Sequence, residues 1–433
     1  MQKLSKLISG SFVRNVILVA SGTAFAQIIA MLLSPVITRV YGPEAYGIMG
    51  TFTSILYIIT PIAAMTYPIA IVLPKSVKEA YGLVRISLNI TIGVSVLVAI
   101  IFIFFGEQIA KLFHIEVITP FLLLLPIAIF LSGMMQIIEQ WLIRTKQFRI
   151  TAKSTFMQSI IVQGGKAGVG LIYPAAGVLI IFSAISDGMK ALLMHLNTRK
   201  SDQKLRLGEN DPAFLKSLAK KHIDFPLYRA PETFINSLST NLPTLLLTTF
   251  FGPAAAGFYN IGKTILNLPS QLIGKSVGDV FYPRASEAAN NKERLTPLIN
   301  RATLMLALVG VVPYGLVILV GPWLFSFVFG ADWEMAGHYA RWISLWSYFA
   351  FINRPSVMAL PVLSAQRFQL IYTIIMLIVR VIALGMGYYI YKSDLVAIAF
   401  FGVSGALLNM GLILITTLIS QKFDKRNLAL TEN

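Results

Sequence analysis

The residues of this chain with the most chemical potential are charged side chains inside long apolar runs. Ionisable groups are costly there, and they usually face a partner or a water-filled cavity. The cations are Lys166, Lys190, Arg229, Lys263, Lys275, Arg341, Arg354 and Arg380, and the acids are Glu139, Asp187, Glu232 and Asp279. This surplus of cations predicts a site for an anionic ligand, because phosphate groups favour several charged donors.

Three of these acids lie three or four residues from a cation, which places both on one helix face. The pairs are Asp187 with Lys190, Arg229 with Glu232, and Lys275 with Asp279. One interpretation is mutual neutralisation, with long side chains near span ends reaching the interface. The other is a role in gating or ion coupling, for which the candidates are Glu232, Asp279, Asp187 and Glu139.

Lys263 is the strongest candidate for a cavity-facing cation, because no acid lies three or four residues away from it. Lys166, in a glycine-rich stretch, and Arg380, deep in its apolar run, come next. The remaining members of the predicted cationic substrate site are Lys275, Arg229 and Arg354.

Membrane-spanning helices must position these side chains. The chain is 56% apolar and 13% charged, with a mean hydropathy of +0.73, which excludes an ordinary soluble enzyme. About 20 mostly apolar residues cross a bilayer as a helix. The predicted spans are 14–38, 46–73, 83–105, 118–140, 151–172, 174–196, 226–251, 256–282, 298–320, 336–361, 369–391 and 394–420.

Neither a cofactor nor a catalytic centre is expected. The chain has no cysteine, and its four histidines are scattered without metal-ligand spacing. The sequence therefore predicts no metal site, no cofactor and no enzymatic activity.

The net charge of +17 follows from membrane topology. With the N-terminus inside, alternate loops and the two ends hold 25 of the 36 Lys and Arg residues, and the opposite loops hold three. Positive residues concentrate in cytoplasmic loops, so both termini are predicted to be cytoplasmic. The basic charge is therefore not interpreted as a nucleic-acid site.

The longest loop, 197–225, divides the chain into two predicted halves. The predicted domains are a six-helix bundle at 1–196, a basic cytoplasmic linker at 197–225, a second six-helix bundle at 226–420 and a cytoplasmic tail at 421–433. A short surface helix is expected from Pro212 to Lys221 inside the linker.

The two halves resemble each other in sequence. Residues 42–47 read GPEAYG and residues 252–257 read GPAAAG, and both halves continue to a Tyr-Pro pair at Tyr67-Pro68 and Tyr282-Pro283. Because each half has an even number of spans, six, both halves enter the membrane from the same side. They are therefore expected to be related by a pseudo-twofold axis along the membrane normal, with a cavity between them.

Three segments carry a resemblance to bacterial polysaccharide flippases, which translocate O-antigen, capsule and teichuronic-acid repeat units. They read SFVRNVILVASGTAFAQIIAMLLSPVITRVYGPEAYG, YPIAIVLP and FFGPAAAGFYNIGKTILNLPSQLIGKSVGDVFYPRASEA. This family belongs to the multidrug/oligosaccharidyl-lipid/polysaccharide (MOP) exporter superfamily. The related lipid II flippases have a basic residue close to the place of Lys263, but they typically have two extra spans.

The resemblance implies an all-α integral membrane protein of the MOP/MATE-like kind, with twelve transmembrane helices in two six-helix bundles forming a V around a central cavity. It implies alternating access that carries a polyprenyl-diphosphate-linked oligosaccharide to the outer leaflet of the bacterial cytoplasmic membrane. The expected partners are an undecaprenyl-diphosphate-linked oligosaccharide, membrane lipid and a polysaccharide polymerase, and the expected functional state is a monomer.

Two other functions remain as alternatives. A multidrug or cation antiporter of the same superfamily would need a cavity dominated by acids. An integral-membrane glycosyltransferase or polymerase generally needs a large outer loop with catalytic carboxylates, and the longest outer segments here have about a dozen residues.

Overall fold

The computed structural model describes residues 11–198, 205 and 211–429, with side chains from Ser21 onward except those of 272, 275, 276, 278–280 and 427–429. Every regular element in these residues is helical. The first seven helices are α1 Ser11–Ile59, α2 Tyr67–Ala70, α3 Val77–Leu112, α4 Leu124–Arg144, α5 Phe148–Ile172, α6 Ala176–Thr198 and α7 Pro212–Lys221. The next eight are α8 Ala230–Phe251, α9 Pro253–Pro269, α10 Lys275–Asn290, α11 Leu295–Phe329, α12 Glu334–Ile352, α13 Arg354–Val362, α14 Gln366–Tyr389 and α15 Asp394–Ala429.

Long helices with outward-facing apolar side chains identify a multi-pass membrane protein. Among the described residues, seven helical stretches are long and apolar enough to cross a bilayer: Ser21–Ile62, Val77–Leu112, Leu124–Arg144, Ala176–Thr198, Leu295–Phe329, Gln366–Tyr389 and Asp394–Arg426. Their large apolar side chains are widely exposed, as at Val312 (73%) and Leu319 (74%) on α11. Apolar exposure on this scale is expected where a helix faces lipid rather than water.

The twelve-span count stays a prediction. The seven apolar stretches do not include four of the predicted spans, although these also lie in helices: 151–172, 226–251, 256–282 and 336–361. Several predicted spans are interrupted rather than continuous helices, among them 336–361, which breaks at Asn353 between α12 and α13, and 46–73, where α1 ends at Ile59 and a short 3₁₀ segment follows at Thr60–Ile62. Pro61 lies in that segment, and a proline cannot donate the hydrogen bond that continues a helix.

The repeat motifs share one backbone feature. Gly42 interrupts α1 with φ +70°, and Gly252 precedes α9 with φ +87°. Each is followed by proline, at Pro43 and Pro253. Glycine adopts a positive φ at little cost, and proline suits the first turn of the helix that follows. The Gly-Pro pair shared by GPEAYG and GPAAAG therefore marks the same kind of helix junction in both halves.

The chain divides into two compact units, with unit 1 ending at Thr249 and unit 2 beginning at Phe250. This division lies in the last turn of α8, beyond the linker predicted at 197–225. The core of unit 1 is built from apolar side chains of α1, α4 and α6, including Phe52, Leu125 and Ile180, each 0% exposed.

The helix predicted from Pro212 to Lys221 is confirmed as α7, and it packs against unit 1. The Asp211 carboxylate accepts a hydrogen bond from the Ala213 amide at 3.0 Å and so caps its first turn. Leu215 and Leu218 are buried, and Leu218 lies beside Gly82 of α3. The apolar face of α7 is therefore covered by protein.

Polar contacts also hold α7 in place. Tyr67 Oη donates to the Ala219 carbonyl at 3.1 Å, and Lys221 Nζ pairs with Glu79 at 2.9 Å. The segment between the predicted bundles is thus attached to unit 1 near the start of α3.

In unit 2, the last helix stabilises the start of α11. The Asp424 carboxylate of α15 accepts hydrogen bonds from the amides of Leu295 and Thr296 at 2.8 and 3.0 Å. These amides belong to the first turn of α11, where amides lack partners within the helix. Asp424 therefore acts as an N-terminal cap supplied by a distant part of the chain.

Candidate functional site

Lys263 lies in unit 2 on α9, one helical turn after Tyr259. Its ammonium is 5.9 Å from the centroid of the Tyr259 ring. Residues four apart share a helix face, so the sequence spacing brings these two side chains together. Lys263 is half-buried and Tyr259 is 0% exposed. The ring face attracts the cation, which offsets part of the cost of placing it in an apolar unit.

Arg380 of α14 joins the same group of side chains. Its guanidinium carbon is 5.0 Å from the Trp346 ring centroid and 5.8 Å from that of Phe401. Phe401 also contacts Tyr259 edge to face, with ring centroids 5.9 Å apart. Four helices, α9, α12, α14 and α15, thus contribute to one cluster. We call Lys263, Arg380, Tyr259, Trp346 and Phe401 the cationic–aromatic cluster.

The cluster combines like charges with unused hydrogen-bond donors. Lys263 and Arg380 are both cations, and each lies beside an aromatic ring of the cluster. Tyr259 Oη and Trp346 Nε1 are buried, and neither has a hydrogen-bond partner among the described residues. Buried polar groups are normally paired. An anion at this cluster would balance the charges of Lys263 and Arg380.

Sequence reasoning found the two cations but not their aromatic neighbours. Lys263 and Arg380 stood out because charges interrupt apolar runs, whereas Trp346 and Phe401 look like ordinary apolar residues. The i,i+4 spacing of Tyr259 and Lys263 was the only local signal. The approach of Arg380 to Trp346 and Phe401 depends on the packing of α12, α14 and α15.

Lys166, by contrast, lies in unit 1, where it is 9% exposed. Its ammonium donates to Ser183 Oγ at 2.9 Å and approaches Met49 Sδ at 3.6 Å. The Tyr41 hydroxyl donates to the Lys166 carbonyl at 2.7 Å. These contacts link α5 to α1 and α6, so Lys166 has a packing role whether or not it also meets a ligand.

The predicted pairing of Asp187 with Lys190 is wrong. Lys190 Nζ forms an ion pair with Glu139 of α4 at 3.1 Å, and the Asp187 carboxylate accepts from Ser132 Oγ of α4 at 2.6 Å. Both partners come from a neighbouring helix, because α4 and α6 pack side by side. Helical spacing places two residues on one face without deciding which neighbours they bond.

The predicted pairing of Arg229 with Glu232 is confirmed, with Nη1 and Oε2 2.9 Å apart. Both side chains are more than half exposed, at 53% and 61%. Arg354 begins α13, and its guanidinium lies beside Gly274. The side chains of Lys275 and Asp279 lie outside the described residues, so their predicted pairing is untested.

Two solved structures share the fold of this chain at low sequence identity. One is an inward-facing multidrug resistance MATE family transporter of the MOP superfamily, with a TM-score of 0.72, 12% identity, and coverage of 93% of this chain and 99% of that chain. The other is the lipid II flippase MurJ in an inward closed conformation, with a TM-score of 0.73, 16% identity, and coverage of 95% and 91%.

A sequence relative is the lipopolysaccharide biosynthesis protein WzxC of Escherichia coli (strain K12). It is 24% identical over 168 residues, and the match covers 37% of this chain and 32% of WzxC. The match therefore spans about a third of the length of that relative.

The family assignment rests on the larger part of the sequence. Residues 36–337 match the family described as "Polysaccharide biosynthesis protein". That segment includes Lys263 and the glycines of both repeat motifs. The chain therefore belongs to the polysaccharide biosynthesis protein family.

Proposed function

We propose that this protein flips polyprenyl-diphosphate-linked oligosaccharide repeat units from the cytoplasmic to the outer leaflet by alternating access, for synthesis of a cell-surface polysaccharide. The diphosphate is the chemical feature that all such substrates share. The observation that carries the proposal is the approach of Lys263 and Arg380 to one buried aromatic group.

The charge of the cluster favours a phosphate-bearing substrate. A diphosphate accepts several hydrogen bonds from charged donors, and Lys263 and Arg380 supply two charged groups beside the same aromatic cluster. In a multidrug or cation antiporter, the two cations of this cluster would repel a positively charged substrate. The cluster therefore supports the flippase over that alternative.

We further propose the membrane arrangement that this function needs. Twelve helices would cross the bacterial cytoplasmic membrane as two six-helix bundles, with both termini and the 197–225 segment in the cytoplasm. A reporter enzyme that is active only in the cytoplasm should work when fused after Lys221 and should fail when fused near Gly252. The reverse result would contradict this topology. The protein would act as a monomer, with a polysaccharide polymerase receiving its product.

The central experiment is complementation of a deletion strain with variants of Lys263. The deletion should accumulate lipid-linked repeat units inside and lose surface polymer, and the wild-type gene should restore both. Lys263→Glu should fail to restore export, because it places an anion where the diphosphate would bind. Lys263→Arg should restore part of it, because charge persists while geometry changes. Lys275→Ala should have a milder effect.

The matched control is Lys216→Glu, which makes the same charge change at an exposed site on α7. Membrane abundance of each variant is measured by immunoblot, so that loss of export is not confused with loss of protein. Full export by Lys263→Glu at normal abundance would contradict the proposed role of the cluster.

A further inference from the structure

A groove lies between the first parts of α1 and α5 in unit 1. Its volume is about 530 Å³, and it is lined by Ser21, Gly22, Phe25, Arg149, Ala152, Lys153 and Phe156. Gly22 makes the close approach possible, since a Cβ there would lie 2.7 Å from Ala152. The volume is within the range of ligand-sized pockets.

The two helices run parallel, so the groove has a defined direction. Gly22 meets Ala152, and further along both helices Ser159 Oγ donates to the Ala26 carbonyl at 2.8 Å. Both helices therefore begin at the same end of the unit. The charge distribution of the loops predicts that this end is cytoplasmic.

The lining changes from cationic to aromatic along that direction. Arg149 and Lys153 are four residues apart at the start of α5, so they share a face and are both exposed. Phe156 follows about 10 Å beyond Arg149 at 1.5 Å per residue. It packs edge to face on Phe25, with ring centroids 6.4 Å apart. The groove is thus basic at the end where both helices begin and apolar further along the helices.

Charge complementarity identifies the ligand. Among the described residues, neither Arg149 nor Lys153 forms an ion pair. The first turn of α5 adds the partial positive charge of a helix N-terminus. Basic pockets between membrane helices on the cytoplasmic side commonly hold lipid phosphates. A free phosphate would satisfy the cations but would leave the Phe25–Phe156 wall without a partner.

We propose that this groove binds one anionic phospholipid of the cytoplasmic leaflet. Its phosphate contacts Arg149 and Lys153, and an acyl chain lies along Phe25 and Phe156. This lipid is a bound structural ligand and is distinct from the transported molecule. The proposal does not depend on the cationic–aromatic cluster or on flippase activity.

The test measures lipid retention by native mass spectrometry of the purified full-length protein. The probe is phosphatidylglycerol, supplied to protein in phosphatidylcholine nanodiscs. We expect Arg149→Gln/Lys153→Gln to retain about 25-fold less phosphatidylglycerol than wild type, because each Lys or Arg near an anionic headgroup contributes roughly a five-fold factor. The matched control Lys216→Gln/Lys220→Gln removes two exposed lysines of α7 and should retain it as wild type does.

A second measurement locates the lipid. Phosphatidylglycerol with a diazirine on its acyl chain should label peptides containing Phe25 or Phe156 in wild type and should label them much less in Arg149→Gln/Lys153→Gln. Equal retention in that variant and wild type, or labelling confined to other peptides, would overturn the proposal. Displacement of the label by an equal concentration of undecaprenyl phosphate would also overturn it, since the carrier lipid would then be the occupant.

Discussion

Lys190 on α6 pairs with Glu139 on α4 at 3.1 Å, although Asp187 lies only three residues before it on its own helix. The Asp187 carboxylate instead accepts from Ser132 Oγ at 2.6 Å. Two polar contacts therefore join α4 to α6. In an apolar surrounding, such contacts hold the two helices in one register.

The Glu139–Lys190 pair should contribute measurably to stability. Glu139→Gln leaves the half-buried Lys190 ammonium without its counter-charge, and we expect the variant to lose about 1.5–3 kcal/mol of unfolding free energy, as for a hydrogen bond to a charged group. Thermal unfolding of detergent-purified protein measures the change. Adding Lys190→Gln should restore part of the loss, and a double-mutant cycle gives the coupling. Glu107→Gln, at an exposed site on α3, is the control and should be nearly neutral.

The positive φ of the repeat glycines predicts backbone strain on substitution. Gly42→Ala and Gly252→Ala should each destabilise the protein by about 1–3 kcal/mol, because positive φ with ψ near 175° is a backbone region that essentially only glycine occupies. Among the described residues, no neighbouring atom lies within 4 Å of the added Cβ at either position, so steric overlap with them does not contribute. Gly93→Ala and Gly315→Ala serve as controls, because both sites are equally open and helical. Equal melting temperatures for all four variants would contradict the strain argument.

The exposed Arg229–Glu232 pair should matter little for stability and can therefore test coupling. Surface ion pairs typically contribute about 0–1 kcal/mol, so Glu232→Gln should fold normally. We expect Glu232→Gln combined with Asp279→Asn to reduce polymer export, because we propose that at least one of these carboxylates helps to open or close the inner gate. Export is measured in complemented cells at matched membrane abundance. Unchanged export would mark both as structural residues.

His222 should make the attachment of α7 sensitive to acid. Burial, and then the neighbouring Lys221 charge, lower the pKa of His222 from 6.5, while Glu79 opposes this shift. The attached state therefore favours neutral His222, and its stability falls as pH drops below 6.5 towards the lowered pKa. Hydrogen exchange across 212–225, corrected for intrinsic rates, should increase between pH 7.5 and pH 5.5. His222→Gln should remove most of this increase, and an identical response in that variant would exclude His222 as the cause.

Local patterns in the sequence determined the helical membrane class, the α7 helix and the equivalence of Gly42 and Gly252. Each depends on a few neighbouring residues: runs of apolar side chains, a capping Asp211 before Pro212, and glycine followed by proline. Hydropathy continues through Pro61, so the sequence alone did not place the end of α1 at Ile59. Lys263 and Arg380 could each be identified from the sequence alone, because a charged side chain in an apolar run has a high free-energy cost however its helix packs.

Only the tertiary structure decided which side chains meet. The partner of Lys190 is 51 residues away in sequence, and the rings around Arg380 come from α12 and α15. The groove between α1 and α5 likewise brings together residues that are more than a hundred positions apart in sequence. Periodicity assigns a residue to one face of its own helix. The neighbour of that face depends on how several helices pack together, and this depends on the shapes of all of them at once.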